Sequence, residues 1–178
     1  MKLAVTLAAG MLLALPAQAL AQSSEVRVTM NRIDAGGVGA VIGTVTLTDT
    51  PQGLMVRPDL TGLPPGEHGF HVHERPDCGP GPNPQGQPAA GLAAGGHYDP
   101  ERTGKHLGPH KEGGHKGDLP ILVVGQDGRA NQPATAPRLK VVDANGRSLM
   151  IHAGGDNYAD EPQPLGGGGA RIACGLIR

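Results

Sequence analysis

Seven of the eight histidines of this chain fall between His68 and His115. His71 and His73 flank Val72. In a strand, alternation turns both imidazoles to one face and Val72 to the other, which makes half a metal site. His97, His106 and His115 follow at intervals of nine residues, and Asp118 comes three residues after the last. Three imidazole nitrogens and one carboxylate suit tetrahedral zinc. A nitrogen-rich set suits copper. Gly95, Gly96, Gly104, Gly108, Gly113, Gly114 and Gly117 let this stretch wrap tightly around an ion. His152 closes the apolar run Ser148–His152, where a further ligand can converge on the His71/His73 pair. The competing reading is an exposed strand followed by a solvated His-rich loop.

The rest of the chain must position these groups. Val26, Val28 and Met30 alternate with polar residues, and Val38 to Thr48 is rich in β-branched residues, both at strand period. Leu54–Val56, His68–His73, Ile121–Val124, Leu139–Val142, Ser148–His152 and Arg171–Ile177 are further short β-rich runs. Turn residues punctuate them at 34–39, 61–66, 126–128 and 144–146. About eight such strands predict an all-β fold, an antiparallel Greek-key sandwich or barrel. Thirty glycines and 17 prolines, with no Trp and one Phe, agree with short strands and many turns. Two stretches resist strand assignment, 74–119 and 153–170. Loops of this length in a small domain are functional or disordered, and these two flank the histidines.

Composition also excludes partners. A formal net charge of −1 gives no basic excess for nucleic acid, and few aromatics leave no surface for stacking bases. Met1-Lys2, an apolar run from Leu3 to Leu15, Pro16 and small residues up to Ala21 form the layout of a secretory signal peptide. The run is too short to span a bilayer comfortably. Residues 1–21 are therefore expected to be cleaved, after Ala21 or Ala19, leaving one domain over 22–178 with no membrane insertion of the mature chain. Cys78 and Cys174 are the only cysteines. In an oxidising compartment such a pair forms a disulfide, the alternative being two buried thiols.

The segments HGFHVHE (68–74), AAGGHYDP (93–100), GKHLGPH (104–110), GHKGDLP (114–120), SLMIHAGGDNY (148–158) and PLGGGGARIACG (164–175) closely resemble the copper–zinc superoxide dismutases, particularly the bacterial periplasmic group. They lie in the family's order and span nearly the whole mature chain. The resemblance implies copper bound by His71, His73, His97 and His152, and zinc bound by His97, His106, His115 and Asp118. His97 would bridge the two ions and act in catalysis. Asp156 would link a copper-ligand ring to a zinc-ligand ring. Arg171 would guide the anionic substrate, superoxide. His68 corresponds to a structural histidine and His110 to no ligand, while Gly166–Gly169 is expected as a tight loop approaching the site.

The function implied is dismutation of superoxide to dioxygen and hydrogen peroxide by a redox-cycling copper ion beside a structural zinc ion, in the periplasm. The alternative is a periplasmic copper/zinc-binding protein without catalysis, which needs neither a substrate arginine nor a bridging ligand. A zinc hydrolase would need an open zinc position. The sequence leaves monomer and homodimer open. Many relatives carry lysines after the last copper ligand, whereas residues 153–170 here contain Asp156, Asp160 and Glu161 and no Lys or Arg. Lys105, Lys111 and Lys116 are the expected substitutes for that positive field.

Overall fold

Three long antiparallel strands, β1 (Glu25–Asp34), β2 (Gly37–Thr50) and β3 (Gly53–Leu60), run as a meander joined by tight turns. The computed structural model describes residues 25–178. The proposed signal segment lies outside them. Alternation works as expected in β1: Val28 and Met30 are buried while Arg27 and Thr29 are exposed. Register places Val28 opposite Val45, and Leu47 opposite Val56, so the buried residues of neighbouring strands share one face.

β4 (Gly66–His68) and β5 (Phe70–His73) split the predicted His68–His73 strand at Gly69. Two short strands, β6 (Gly81–Pro82) and β7 (Pro88–Ala89), pair inside the first long loop. They are followed by β8 (Leu122–Val124), β9 (Ala134–Ala136), β10 (Arg147–His152) and β11 (Arg171–Ile177). The main sheet has the order β5-β10-β11-β1-β2-β3-β9, all antiparallel. β4 and β8 form a separate pair. Leu122 and Val124 of β8 close the core against Val45, Leu47, Leu149 and Ile151. The result is the curled antiparallel all-β fold expected.

One assignment is corrected. Leu139–Val142 is not a strand: Ala134–Ala136 pairs with β3, and the chain then turns into a short helix, α1 (Val141–Ala144). Leu139 and Val141 are buried. The strand-like spacing of apolar residues came from anchoring an irregular segment to the core. Lys140 N pairs with no neighbouring strand but donates to Asp143 Oδ2 at 3.0 Å, and Val141 N donates to Asp49 Oδ1 at 2.8 Å. Side-chain acceptors thus replace a strand partner.

Candidate metal centre

β5 and β10 are hydrogen-bonded neighbours, and β10 and β11 are as well, with His152 opposite Arg171. Pairing therefore brings His71, His73, His152 and Arg171 to one end of the sheet. His97 arrives from the loop by a bridge to His73, and Asp118 by a bridge to His71. Six histidines separated by up to 81 positions in sequence meet here, and His71, His73, His97, His106, His115, His152 and Asp118 are all buried.

Four donors, from His71, His73, His97 and His152, lie within 4.8 Å of one another. Hydrogen bonding decides which nitrogen each ring offers. His71 Nε2 donates to Asp156 Oδ2 at 2.7 Å, His73 Nδ1 to the Gly95 carbonyl at 3.0 Å, and His152 Nδ1 to the Gly169 carbonyl at 3.1 Å. Each neutral ring is then left with a lone pair on its other nitrogen. His73 Nε2 and His152 Nε2 face each other at 3.4 Å, and His71 Nδ1 and His97 Nε2 are buried without any partner. Buried lone pairs that converge in this way repel unless a cation sits between them, and four imidazole nitrogens are a donor set for copper.

The second group surrounds Asp118. His97 Nδ1 and His106 Nδ1 each lie 3.0 Å from this carboxylate, and His115 Nδ1 lies 3.6 Å away. His106 Nδ1 and His115 Nδ1 make no aligned hydrogen bond. His71 also comes within 4.8 Å of the His97, His106 and Asp118 donors. Its Nε2 is committed to Asp156 and its free Nδ1 already serves the first set, however, whereas the unpartnered His115 Nδ1 faces Asp118, so His115 is the better fourth donor. Three nitrogens and one carboxylate oxygen fit tetrahedral zinc. His97 belongs to both groups, one ring nitrogen facing each.

Electrostatics follow from this burial. Desolvation holds His71 and His73 well below the usual imidazole range, and His97 below it, with the neighbouring rings adding to the effect at His71 and His73. Burial, with His97 and Arg171 nearby, lowers His152 to about 4. These rings are neutral at pH 7 and ready to ligate. His106 goes the other way: burial opposes its charge, but Asp118 and Asp156 outweigh it and raise the pKa to about 9. Despite their own burial, Asp118 and Asp156 are held well below the carboxylate range by the histidines they face.

Asp156 joins the two groups. Its Oδ2 accepts from His71 and its Oδ1 from His106 Nε2, both at 2.7 Å. The glycine-rich turn wraps this carboxylate. Gly166 has φ +73°, and a Cβ there would lie 2.0 Å from Asp156 Oδ1, so only glycine fits. Arg171 is half-buried, its Nη1 donating to the Gly91 carbonyl at 2.6 Å and its Nη2 to the Gly95 carbonyl at 2.7 Å. The Gly95 carbonyl also receives His73 Nδ1, so one peptide orients both residues. The Cys78–Cys174 disulfide is formed and ties the loop bearing Gly91 to β11.

The remaining histidines behave as expected. Buried His68 sits between the carbonyls of His152 (2.7 Å) and Pro64 (2.9 Å), and His110 is exposed. Lys105 and Lys111 are exposed, but Lys116 is bound to Asp143 at 2.8 Å. Lys116 is thereby removed from the set of free lysines, because its charge is matched locally. Sequence reasoning missed two supports of the loop. Asp160 Oδ2 accepts from His106 N at 2.9 Å, and Arg138 donates to the carbonyls of Gly108, Pro109, Gly114 and His115. A backbone N–H or carbonyl is the same in every residue and leaves no pattern in the sequence, so neither had a signal to find.

An antiparallel curled sheet carrying two converging histidine groups that share one ring defines a binuclear metalloprotein. The family model for copper/zinc superoxide dismutase matches residues 41–177. The superoxide dismutase [Cu-Zn] of Escherichia coli (strain K12) is 51% identical over 168 residues, covering 94% of this chain and 96% of that protein. Superoxide dismutase [Cu-Zn] 2 of Salmonella typhimurium is 54% identical over 159 residues, covering 89% and 91%. Among solved structures, the Cu/Zn superoxide dismutase from Brucella abortus superposes with a TM-score of 0.84 at 49% identity, covering 87% of this chain and all of that one. The chain belongs to the copper/zinc superoxide dismutase family.

Proposed function

We infer that this chain dismutates superoxide, with His71, His73, His97 and His152 holding copper and His97, His106, His115 and Asp118 holding zinc. The observation that carries the reading is the shared ring of His97, with Nε2 unpartnered among the first set of donors and Nδ1 3.0 Å from Asp118. Bound copper supplies reversible one-electron exchange with superoxide, and bound zinc supplies a fixed charge that does not change oxidation state. Overall, two superoxide anions and two protons give one dioxygen and one hydrogen peroxide.

The protein's own residues do the rest. His97 Nε2 is the nitrogen that takes up a proton in one half of the cycle and returns it in the other, while Nδ1 stays directed at the Asp118 side. Asp156 keeps the proton of His71 and of His106 on Nε2, leaving both Nδ1 atoms as donors. Arg171, fixed by the Gly91 and Gly95 carbonyls, presents a positive charge beside His73 and His152 and draws the anion in. A metal-carrier protein has no use for this anchored guanidinium. The test is superoxide decay followed by pulse radiolysis for metal-free protein and for protein reloaded with copper and zinc. Rapid decay only after reloading is expected, and equal decay in both would sink the assignment.

Export through residues 1–21 to the periplasm is supported by the disulfide, which persists in oxidising compartments. A monomer is the simpler assembly, since the Salmonella enterica relative, 54% identical with a TM-score of 0.77, has a solution structure described as monomeric. Amino-terminal sequencing of the exported protein and sedimentation equilibrium test the two points.

A further inference from the structure

We propose that Arg138 is a positioning residue for the zinc-binding loop. Its guanidinium reaches into that loop from the segment that joins β9 to α1. Nε donates to the Pro109 carbonyl at 3.2 Å and Nη1 to Gly114 at 3.1 Å, while Nη2 donates to Gly108 at 3.1 Å and to His115 at 2.5 Å. Gly108 and His115 lie at opposite ends of the 108–115 excursion, so one planar group closes its neck. His106 and His115, the two donors that have no strand to hold them, lie at or beside this neck. Among the described residues no carboxylate comes within 4.0 Å of Arg138. Its charge is met by four carbonyl dipoles alone, an arrangement that specifies backbone geometry.

The anchor behind it is rigid. Leu139 and Val141 are buried in the core, Lys140 Nζ donates to the Thr50 carbonyl at 2.5 Å, and Val141 N donates to Asp49 at 2.8 Å. Asp143 of α1 also holds Lys116, one residue past His115, at 2.8 Å. The segment 138–143 therefore grips the zinc loop on both sides of His115 and ties it to β2. An ammonium group cannot reproduce this. Lysine has one nitrogen at the end of a flexible stem, whereas the guanidinium offers five N–H groups in a fixed fork.

This proposal rests on the zinc assignment above, and the test separates the two. Zinc affinity is measured by chelator competition for wild type, Arg138→Lys, Arg138→Gln and Asp118→Asn, with copper affinity and metal-free melting temperature alongside. Cobalt(II) placed in the zinc site reports its geometry through its visible spectrum. Both Arg138 variants should bind zinc about tenfold or more weakly and show an altered cobalt spectrum, in line with losses of orienting partners at metal sites. Copper affinity and the metal-free melting temperature should stay near wild type. Retention of charge in Arg138→Lys without rescue would identify fork geometry as the cause. If Asp118→Asn weakens zinc but both Arg138 variants match wild type, Arg138 does not position the loop. Parallel losses at copper, zinc and metal-free stability would make it a general fold residue and overturn the proposal. If Asp118→Asn leaves zinc affinity intact, the zinc assignment itself is wrong.

Discussion

Replacing Cys78 and Cys174 together by alanine should cost both stability and catalytic rate, for separate reasons. The bridge joins positions 96 apart. Closing a loop of that size removes enough unfolded-state entropy to stabilise the fold by up to about 4.7 kcal/mol at 25 °C. For a chain of this length, that corresponds to a fall in melting temperature on the order of 10–19 °C. The rate effect follows from geometry. The bridge fixes the start of the loop whose later carbonyls, Gly91 and Gly95, hold Arg171 at 2.6 and 2.7 Å. Without it, that loop keeps its contacts to the end of β5 and the residues after it, His73 Nδ1 to Gly95 O at 3.0 Å, Arg75 N to Ala94 O at 2.9 Å and Glu74 N to Gly96 O at 3.1 Å, but loses its covalent tie to β11. Movement of the guanidinium by a fraction of an ångström to an ångström should slow superoxide consumption on the order of tenfold. Urea unfolding of the metal-free proteins measures the first effect, and pulse radiolysis of metal-loaded protein measures the second. Stability within about 1 kcal/mol of wild type would refute the loop-entropy argument. An unchanged rate constant in a measurably destabilised variant would refute the coupling of the bridge to Arg171.

Three other outcomes are expected. Asp156→Asn should weaken zinc about ten- to hundredfold in chelator competition, because an amide cannot accept from both His71 and His106 as the carboxylate does at 2.7 Å each. Unchanged zinc affinity would remove Asp156 from the site. Metal-free protein should be most stable near pH 6.5 in melting curves recorded from pH 4 to 9. The buried His152, with its pKa lowered to about 4, contributes stability that is present above the unfolded value and lost as pH falls, by up to about 3 kcal/mol. His106, raised to about 9, contributes stability that is present below the unfolded value and lost as pH rises. Zinc should abolish the alkaline decline, and a monotonic profile in the metal-free protein would contradict the assignment. Lys105→Glu or Lys111→Glu should slow superoxide consumption at low ionic strength and flatten its salt dependence, whereas the paired Lys116 should matter less. Rates equal to wild type in all three would place the steering field elsewhere.

Much of the site was legible because its signals are local. Strand alternation put His71 and His73 on one face before any fold was known, and the glycines around His97, His106 and His115 marked a loop that wraps. The repeated spacing and Asp118 named the donor types, since ligand chemistry depends on residue identity. Burial decided the rest. Which nitrogen each ring offers depends on what the other one meets: Asp156 for His71 and His106, Gly95 for His73, Gly169 for His152. All four of those contacts span 17 or more residues and end on acceptors in irregular chain, where no periodicity records the partner. The stretch 139–142 carried a strand's composition, yet its apolar residues serve as anchors for a turn and short helix, because the edge of β3 was already taken by Ala134–Ala136. In the sequence Arg138 carried no assignment, and Lys116 read as a free charge for steering the anion. Only the folded chain brings four loop carbonyls to the one and a carboxylate to the other, because hydrogen-bond partners are set by proximity in space, which the linear order of residues does not encode.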